Sequence, residues 1–341
     1  MTRYLGLLVA GVLTAMAGIQ PVRAAAGEAM AFRISTENTP AHVQTQTLLR
    51  FAEAVEERLG STLAVSVHHS AELFRGRDVA AAIMRDQVEM AVPGTWQLDR
   101  YAADIGVFLL PMFYGRPRAE IDLVRDGAIG ERINAQIEAA LGVHVLGRWI
   151  DLGYAHLYTV DRGIARHEDI AQFHLRIPGG QANARRIEAF GAEVVTIPWP
   201  DLPNALLSGQ IDGLLTSHAT IASARLWEAG VAFAFEDREY FPQYIPIVSD
   251  RFWRRQAPDV QAQLGEIWES LVDDARAEAA LAQADARARL MAEGVTMVTP
   301  DEEDLLGWRT RLMGIQPQLV SDLGIDPDLV VRAGEILAAG R

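Results

Sequence analysis

One stretch constrains the fold of this chain more than any other. From Pro258 to Glu293 a helical pattern runs almost unbroken, with Val260, Leu264, Ile267, Leu271 and Ala275 on one face. Proline in the first turn and Gly294 at the end punctuate it as a single helix. At about 1.5 Å per residue it extends roughly 54 Å, well beyond the roughly 30 Å of a small domain. It must either kink or lie across two bodies as a shared strut. The alanine-rich run from Ala275 to Ala288 permits close packing, and the apolar stripe is too short and irregular for a coiled coil.

Upstream, short strands alternate with helices. AFRIST from Ala31 reads as a strand, Leu48, Phe51, Val55 and Leu59 fall at helical spacing, and AVSVH from Ala64 reads as a second strand. Further strands are expected at Val88 to Val92, Val143 to Leu146, His156 to Val160, Leu175 to Ile177, Val194 to Ile197 and Ile211 to Leu215. The alternation is that of an α/β protein with mixed sheets. Asp78 to Glu89 (DVAAAIMRDQVE) also aligns without gaps to Asp201 to Asp212 (DLPNALLSGQID), 123 residues on, with three identities and five close matches. Equivalent elements of two related lobes would give this match, and so would chance likeness between helix-turn-strand units.

Arg3, an apolar run from Tyr4 to Ile19, and Pro21, Val22 and Arg23 ahead of Ala24, Ala25 and Ala26 form the pattern of a secretory signal peptide, residues 1–26, cleaved near Ala24 to Ala26. Its roughly fifteen apolar residues are short for a membrane span, and no later stretch approaches the roughly eighteen that one needs. The chain has no cysteine, which removes lipid attachment, disulfides, thiol nucleophiles and thiolate metal sites. The expected compartment is the periplasm, where a second membrane retains an unanchored protein. Loss of Arg3 and Arg23 takes the formal charge from −14 to −16, which argues against a nucleic-acid partner. The remaining length of about 315 residues implies about two domains. In so acidic a chain, an anionic ligand requires arginines that overcome the field locally.

Catalytic signatures are mostly absent: there is no G-x-S-x-G, H-E-x-x-H, Walker loop or G-x-G-x-x-G. His68 and His69 with Glu72 could suggest a metal site, but adjacent strand residues point to opposite faces. Arg162 follows the strand HLYTV, and Arg176 sits inside LRIP, where a charge in an apolar strand requires a partner. A guanidinium matches a carboxylate with two parallel hydrogen bonds, so both arginines are candidates to capture an organic acid. Pairing with the protein's own acids is the alternative. Trp199, between Pro198 and Pro200 at the end of EVVTIP, is placed either to floor a pocket or to fill the core. Trp96, Phe113 and Tyr154 are further candidates for pocket walls.

EDIAQFHLRIP (Glu168 to Pro178), FGAEVVTIPW (Phe190 to Trp199) and NALLSGQIDG (Asn204 to Gly213) together resemble, in order and spacing, the DctP-type receptors of tripartite ATP-independent periplasmic (TRAP) transporters. SAELFRGRDV, QVEMAV and FLLPMFY resemble their first-lobe landmarks, so the resemblance covers essentially the whole mature chain. It implies a two-lobed fold with crossing strands, a long helix spanning both lobes, and hinge closure over a ligand. Under it, Arg176 takes the place of the arginine that clamps the ligand carboxylate, Arg162 matches a second, less uniform arginine, and Trp199 matches an aromatic beside the ligand. Glu72 and Arg77 fall where the first lobe contributes polar contacts. One departure is marked: where the family often places an asparagine that faces the ligand, Asp212 and Gly213 lead here into Leu214, Leu215, Thr216 and Ser217. A shorter hydroxyl, Thr216, replaces the amide.

The expectation is therefore a periplasmic binding protein for a small organic acid, working with small and large membrane subunits and needing no cofactor. Lobe one is expected near residues 31–158 plus 247–285, and lobe two over 159–246 plus 286–341. A periplasmic enzyme would instead draw an acid-base pair from His156, His174 or His218 with Asp151 or Asp212. A ligand-sensing receptor for another system would share the fold.

Overall fold

A computed structural model describes residues 29–340. The expected signal peptide, residues 1–26, lies outside the described residues. Two sheets carry the architecture. The first has the order Leu63–His68, Met30–Ser35, Met90–Ala91, Ile247–Ser249, Val143–Val145. The second runs Thr296–Val298, Phe233–Tyr240, Ala155–Thr159, Gly213–Ser217, His174–Ile177, Glu193–Thr196. Both are mixed: Met30–Ser35 is parallel to both its neighbours, while Ile247–Ser249 runs antiparallel to Met90–Ala91 and Val143–Val145. In the second sheet His174–Ile177 lies parallel to the strands on either side.

The chain crosses between the sheets at a two-stranded ladder that pairs Gln243 with Asp151 and Tyr244 with Ile150. It crosses again through the long helix, Pro258–Ala292, which is 35 residues long. That helix packs against Val43–Leu59 on one side, against His218–Ser223 on the other, and against Ile150–Asp151 between them. It is the strut that its length implied. Its buried face includes Trp268 and Val272 beside Val260, Leu264 and Ile267, and the small side chains Ala275, Ala279 and Ala286 let its neighbours approach. The whole is a two-lobed α/β fold.

Two segments lie elsewhere than the expected lobe boundaries put them. Ala155–Thr159 belongs to the second sheet, paired with Gly213–Ser217 and Phe233–Tyr240. The C-terminal helix Pro327–Ala339 returns to the first lobe, where it packs on Arg118–Arg125 and Ala128–Leu141. Leu329, Ala333 and Leu337, at four-residue spacing, form a single apolar stripe that has to be covered, and the first lobe's core covers it.

The internal match has a structural counterpart. In both copies a helix, Gly76–Met84 or Leu202–Leu207, ends in a turn that leads to a strand. The Gln87 amide donates to the Ala82 carbonyl and the Gln210 amide to the Ala205 carbonyl, each at 3.0 Å. Asp86 and Gly209 hold the corresponding positive-φ position, at 55° and 66°.

Candidate ligand-binding site

Parallel strands of both sheets point their C-terminal ends at the gap between the lobes, the usual place for a ligand in α/β folds. Beyond Met30–Ser35 come Glu37 and Asn38, and Trp96 follows Met90–Ala91. Beyond His174–Ile177 and Glu193–Thr196 come Pro178 and Trp199, and Thr216 stands at the end of Gly213–Ser217. With Tyr240, Pro242 and Tyr244 from the crossing segment, these residues enclose a cavity of about 40 Å³.

Arg176 is the cation of this cavity. It sits on the strand next to the edge of its sheet, opposite Val195 on one side and Leu214 on the other, and is only 3% exposed. Its Nε–H donates to the Ile197 carbonyl at 3.0 Å, and its guanidinium lies 5.8 Å from the centre of the Trp199 ring. No acid lies within 4.0 Å of it among the described residues. Burial lowers its pKa to about 10, and the nearby charge of Glu37 opposes that shift. A buried guanidinium with free N–H groups and no counter-ion is costly unless something supplies the charge.

The other walls are more fully satisfied. Asn38 donates to Gln44 at 2.6 Å and to the Tyr244 hydroxyl at 3.1 Å, while Tyr240 and Thr95 share a hydrogen bond of 2.9 Å. Thr220 is bonded to Ser217 at 2.9 Å and faces His42 at 3.3 Å. The buried indole N–H of Trp96 has no partner among the described residues. Gly180 allows the lobes to meet beside it: its φ is +89°, and a Cβ there would press on the Trp96 carbonyl and the Asp99 carboxylate.

Of the nine residues expected at a site, the structure gathers Arg176, Trp199, Thr216 and Trp96 around this cavity and places the other five elsewhere. Arg162 is exposed: its guanidinium lies over the Phe173 ring at 4.3 Å and donates to the Gln172 carbonyl and side chain, because the turn after its strand directs it outward. Phe113 is core, 5.5 Å from Phe108. Tyr154 donates to the Arg116 carbonyl and borders a separate cavity of about 220 Å³ beside the long helix. Glu72 is half-exposed beside His68 and His69, and Arg77 lies at the surface next to Asp78. Glu37, Asn38, Tyr240 and Tyr244 escaped the reading of the sequence. The one signal for Glu37 and Asn38 was their position just past the end of the first strand.

The profile of the bacterial extracellular solute-binding proteins, family 7 (DctP), matches residues 34–319. The chain belongs to this family. Among relatives of this solute-binding protein, the C4-dicarboxylate-binding periplasmic protein DctP of Shewanella loihica is 23% identical over 241 residues, 68% of each chain. The sugar acid binding protein DctPAm of Advenella mimigardefordensis, in complex with galactonate, matches the fold with a TM-score of 0.85 at 17% identity, over 92% of this chain and 99% of that one. A TRAP periplasmic solute-binding protein of Sulfurospirillum deleyianum with bound succinate matches with a TM-score of 0.81 at 20% identity, over 90% and 99%. At these identities the structural likeness shows the two-lobed fold. Membership of a family of binding proteins sets the enzyme reading aside. In this solute-binding protein Asp212 accepts from the His174 backbone amide, and Asp151 is held by Arg125. Among the described residues, no helix is long and apolar enough to cross a membrane.

Proposed function

We propose that this solute-binding protein captures a small organic acid between its lobes in the periplasm and delivers it to the small and large membrane subunits of a TRAP transporter. Arg176 holds the carboxylate, Trp199 flanks it, and Trp96 and Thr216 complete the wall. The observation that carries this reading is the buried, unpaired guanidinium of Arg176 in a cavity between the lobes. A ligand carboxylate supplies the missing counter-charge through two parallel hydrogen bonds. Relatives of the same fold support the class of ligand: solved structures are described with succinate, (S)-2-acetolactate, galactonate and galacturonate, each of which carries a carboxylate.

A thermal-shift screen of the mature protein tests the reading. Ligand at a hundredfold its Kd adds about 2.7 kcal/mol, which for a chain of this size raises Tm by at least a couple of degrees. Shifts confined to carboxylates are expected. Shifts with neutral sugars alone would make Arg176 a structural residue. Genes for a small and a large membrane subunit beside this one are the expected context, and an ATPase or histidine kinase gene there instead would sink the transporter assignment.

A further inference from the structure

The cavity is lined by one cation and one anion that do not meet. Arg176 comes from one lobe and Glu37 from the other, and no ion pair within 4.0 Å joins them among the described residues. Glu37 is firmly held all the same. Its Oε2 accepts from the Gly76 amide at 2.9 Å and its Oε1 from Gln97 Nε2 at 2.8 Å. Gln97 is fixed in turn, with its Oε1 accepting from the Gly94 amide at 3.1 Å. Glycine at 76 makes this possible, since a Cβ there would collide with the Glu37 carboxylate and the Gln97 amide.

A carboxylate can accept about four hydrogen bonds. Glu37 has two, so both oxygens keep capacity. Among the described residues nothing further donates to it: neighbouring Asn38 donates to Gln44 and Tyr244, and the Gln44 amide donates to the Val92 carbonyl. Burial raises the pKa of Glu37, and a hydrogen-bond donor brought to it would relieve that cost. A second smaller cavity, about 20 Å³ in volume, adjoins Glu37, Asn38 and Tyr244 on the first-lobe side.

We infer that the ligand has two unlike ends, a carboxylate at Arg176 and a hydrogen-bond donor, hydroxyl or ammonium, at Glu37, so that the substrate class is a hydroxy or amino acid and not a dicarboxylate. The inference rests on the reading that Arg176 holds the carboxylate. A second ligand carboxylate at Glu37 would place like charges together in a desolvated site and bring no donor to the free acceptor capacity of Glu37. A hydroxyl or ammonium there satisfies Glu37 and, as an ammonium, balances its charge.

Calorimetric titration with butyrate, succinate, 4-hydroxybutyrate and 4-aminobutyrate tests this directly, because these acids share one chain length and differ only at the far end. Galactonate and galactarate extend the comparison to a longer hydroxyl and carboxylate pair. In at least one series the donor-bearing acid is expected to bind roughly tenfold or more tightly than its dicarboxylate counterpart, and Glu37→Gln is expected to shrink that ratio. Succinate and galactarate binding as tightly as their donor-bearing counterparts would overturn the inference and leave the Arg176 reading standing. Failure of all six acids to bind would remove the Arg176 reading and the inference with it. The wild-type comparison decides the matter even if the variant does not fold.

Discussion

Arg75, at the start of the helix Gly76–Met84 in the first lobe, donates from Nη1 to Asp201 at 2.8 Å in the second lobe, two residues beyond Trp199. The pair bridges the gap just outside the cavity. Both partners are close to half-exposed, so the bond is worth only about 0–1 kcal/mol and is screened by salt.

Arg75→Ala should therefore weaken ligand binding by no more than roughly fivefold, through faster dissociation. The effect should vanish at about 1 M salt, where the screening length is about 3 Å. Stopped-flow tryptophan fluorescence at low and high salt measures both. An unchanged dissociation rate at low salt would show that the pair does not hold the lobes closed.

Arg176 costs the empty protein stability, because burial disfavours its charge, the nearby charge of Glu37 offsets this only in part, and no carboxylate is paired with it among the described residues. Arg176→Met should unfold at higher urea concentration than the wild type without ligand, by on the order of 1–3 kcal/mol. It should also lose its ligand-induced stabilisation. A variant less stable than wild type would point to a structural role for the guanidinium.

Trp199 is half-exposed and its ring lies beside the Arg176 guanidinium. Trp199→Leu should lower affinity by roughly threefold to thirtyfold, as expected for the loss of a partly desolvated cation–π contact, with little change in the unfolding of the free protein. Equilibrium titration with the best acid from the thermal-shift screen measures the loss, and unaltered affinity would remove the ring from the site.

Two buried histidines set a pH window. Burial lowers the pKa of His42 and of His218 to about 4. Neutral His218 fits its surroundings: Nε2–H donates to Glu236 at 2.9 Å and Nδ1 accepts from the Tyr158 hydroxyl at 2.6 Å. The unfolded chain takes up these protons near pH 6.5, so stability is complete above that pH and falls as pH drops from about 6.5 towards 4. His42 caps the helix Val43–Leu59 through Nδ1, accepting from the Gln44 amide at 3.2 Å, a role that asparagine can keep. His42→Asn should flatten this pH dependence in urea unfolding between pH 7 and 4.5, and an unchanged slope would remove His42 from the account.

The sequence showed the strut, eight of the short strands and the charged residue in the apolar strand, because each depends on local periodicity or on a single misfit. Phe233–Tyr240 escaped, although it lies between Ala155–Thr159 and Thr296–Val298 in the second sheet. Its Glu236, Asp237 and Glu239 break the apolar pattern, and they are buried. Glu236 is paired with His218 and Arg287, and Glu239 with Arg186 at 2.7 Å. These partners are brought in from other elements, and local pattern cannot reveal them. Glu37 escaped for the same reason: the groups that orient it, Gly76 and Gln97, stand 39 and 60 positions away. Arg176 was the stronger candidate in sequence, as a charge inside an apolar strand, but Arg162 stood beside it, and the turn that sends Arg162 to the surface lies outside what the strand pattern can show.

The most direct measurement of the central claim is calorimetry of one carboxylate ligand and its amide against the wild type and Arg176→Met. The wild type is expected to bind the acid and reject the amide. Arg176→Met should lose at least roughly thirtyfold in affinity for the acid, in line with the about 2–5 kcal/mol set by removing one partner of a buried charged pair. Acid and amide binding alike, or a variant that holds the acid within about threefold of wild type, would contradict it.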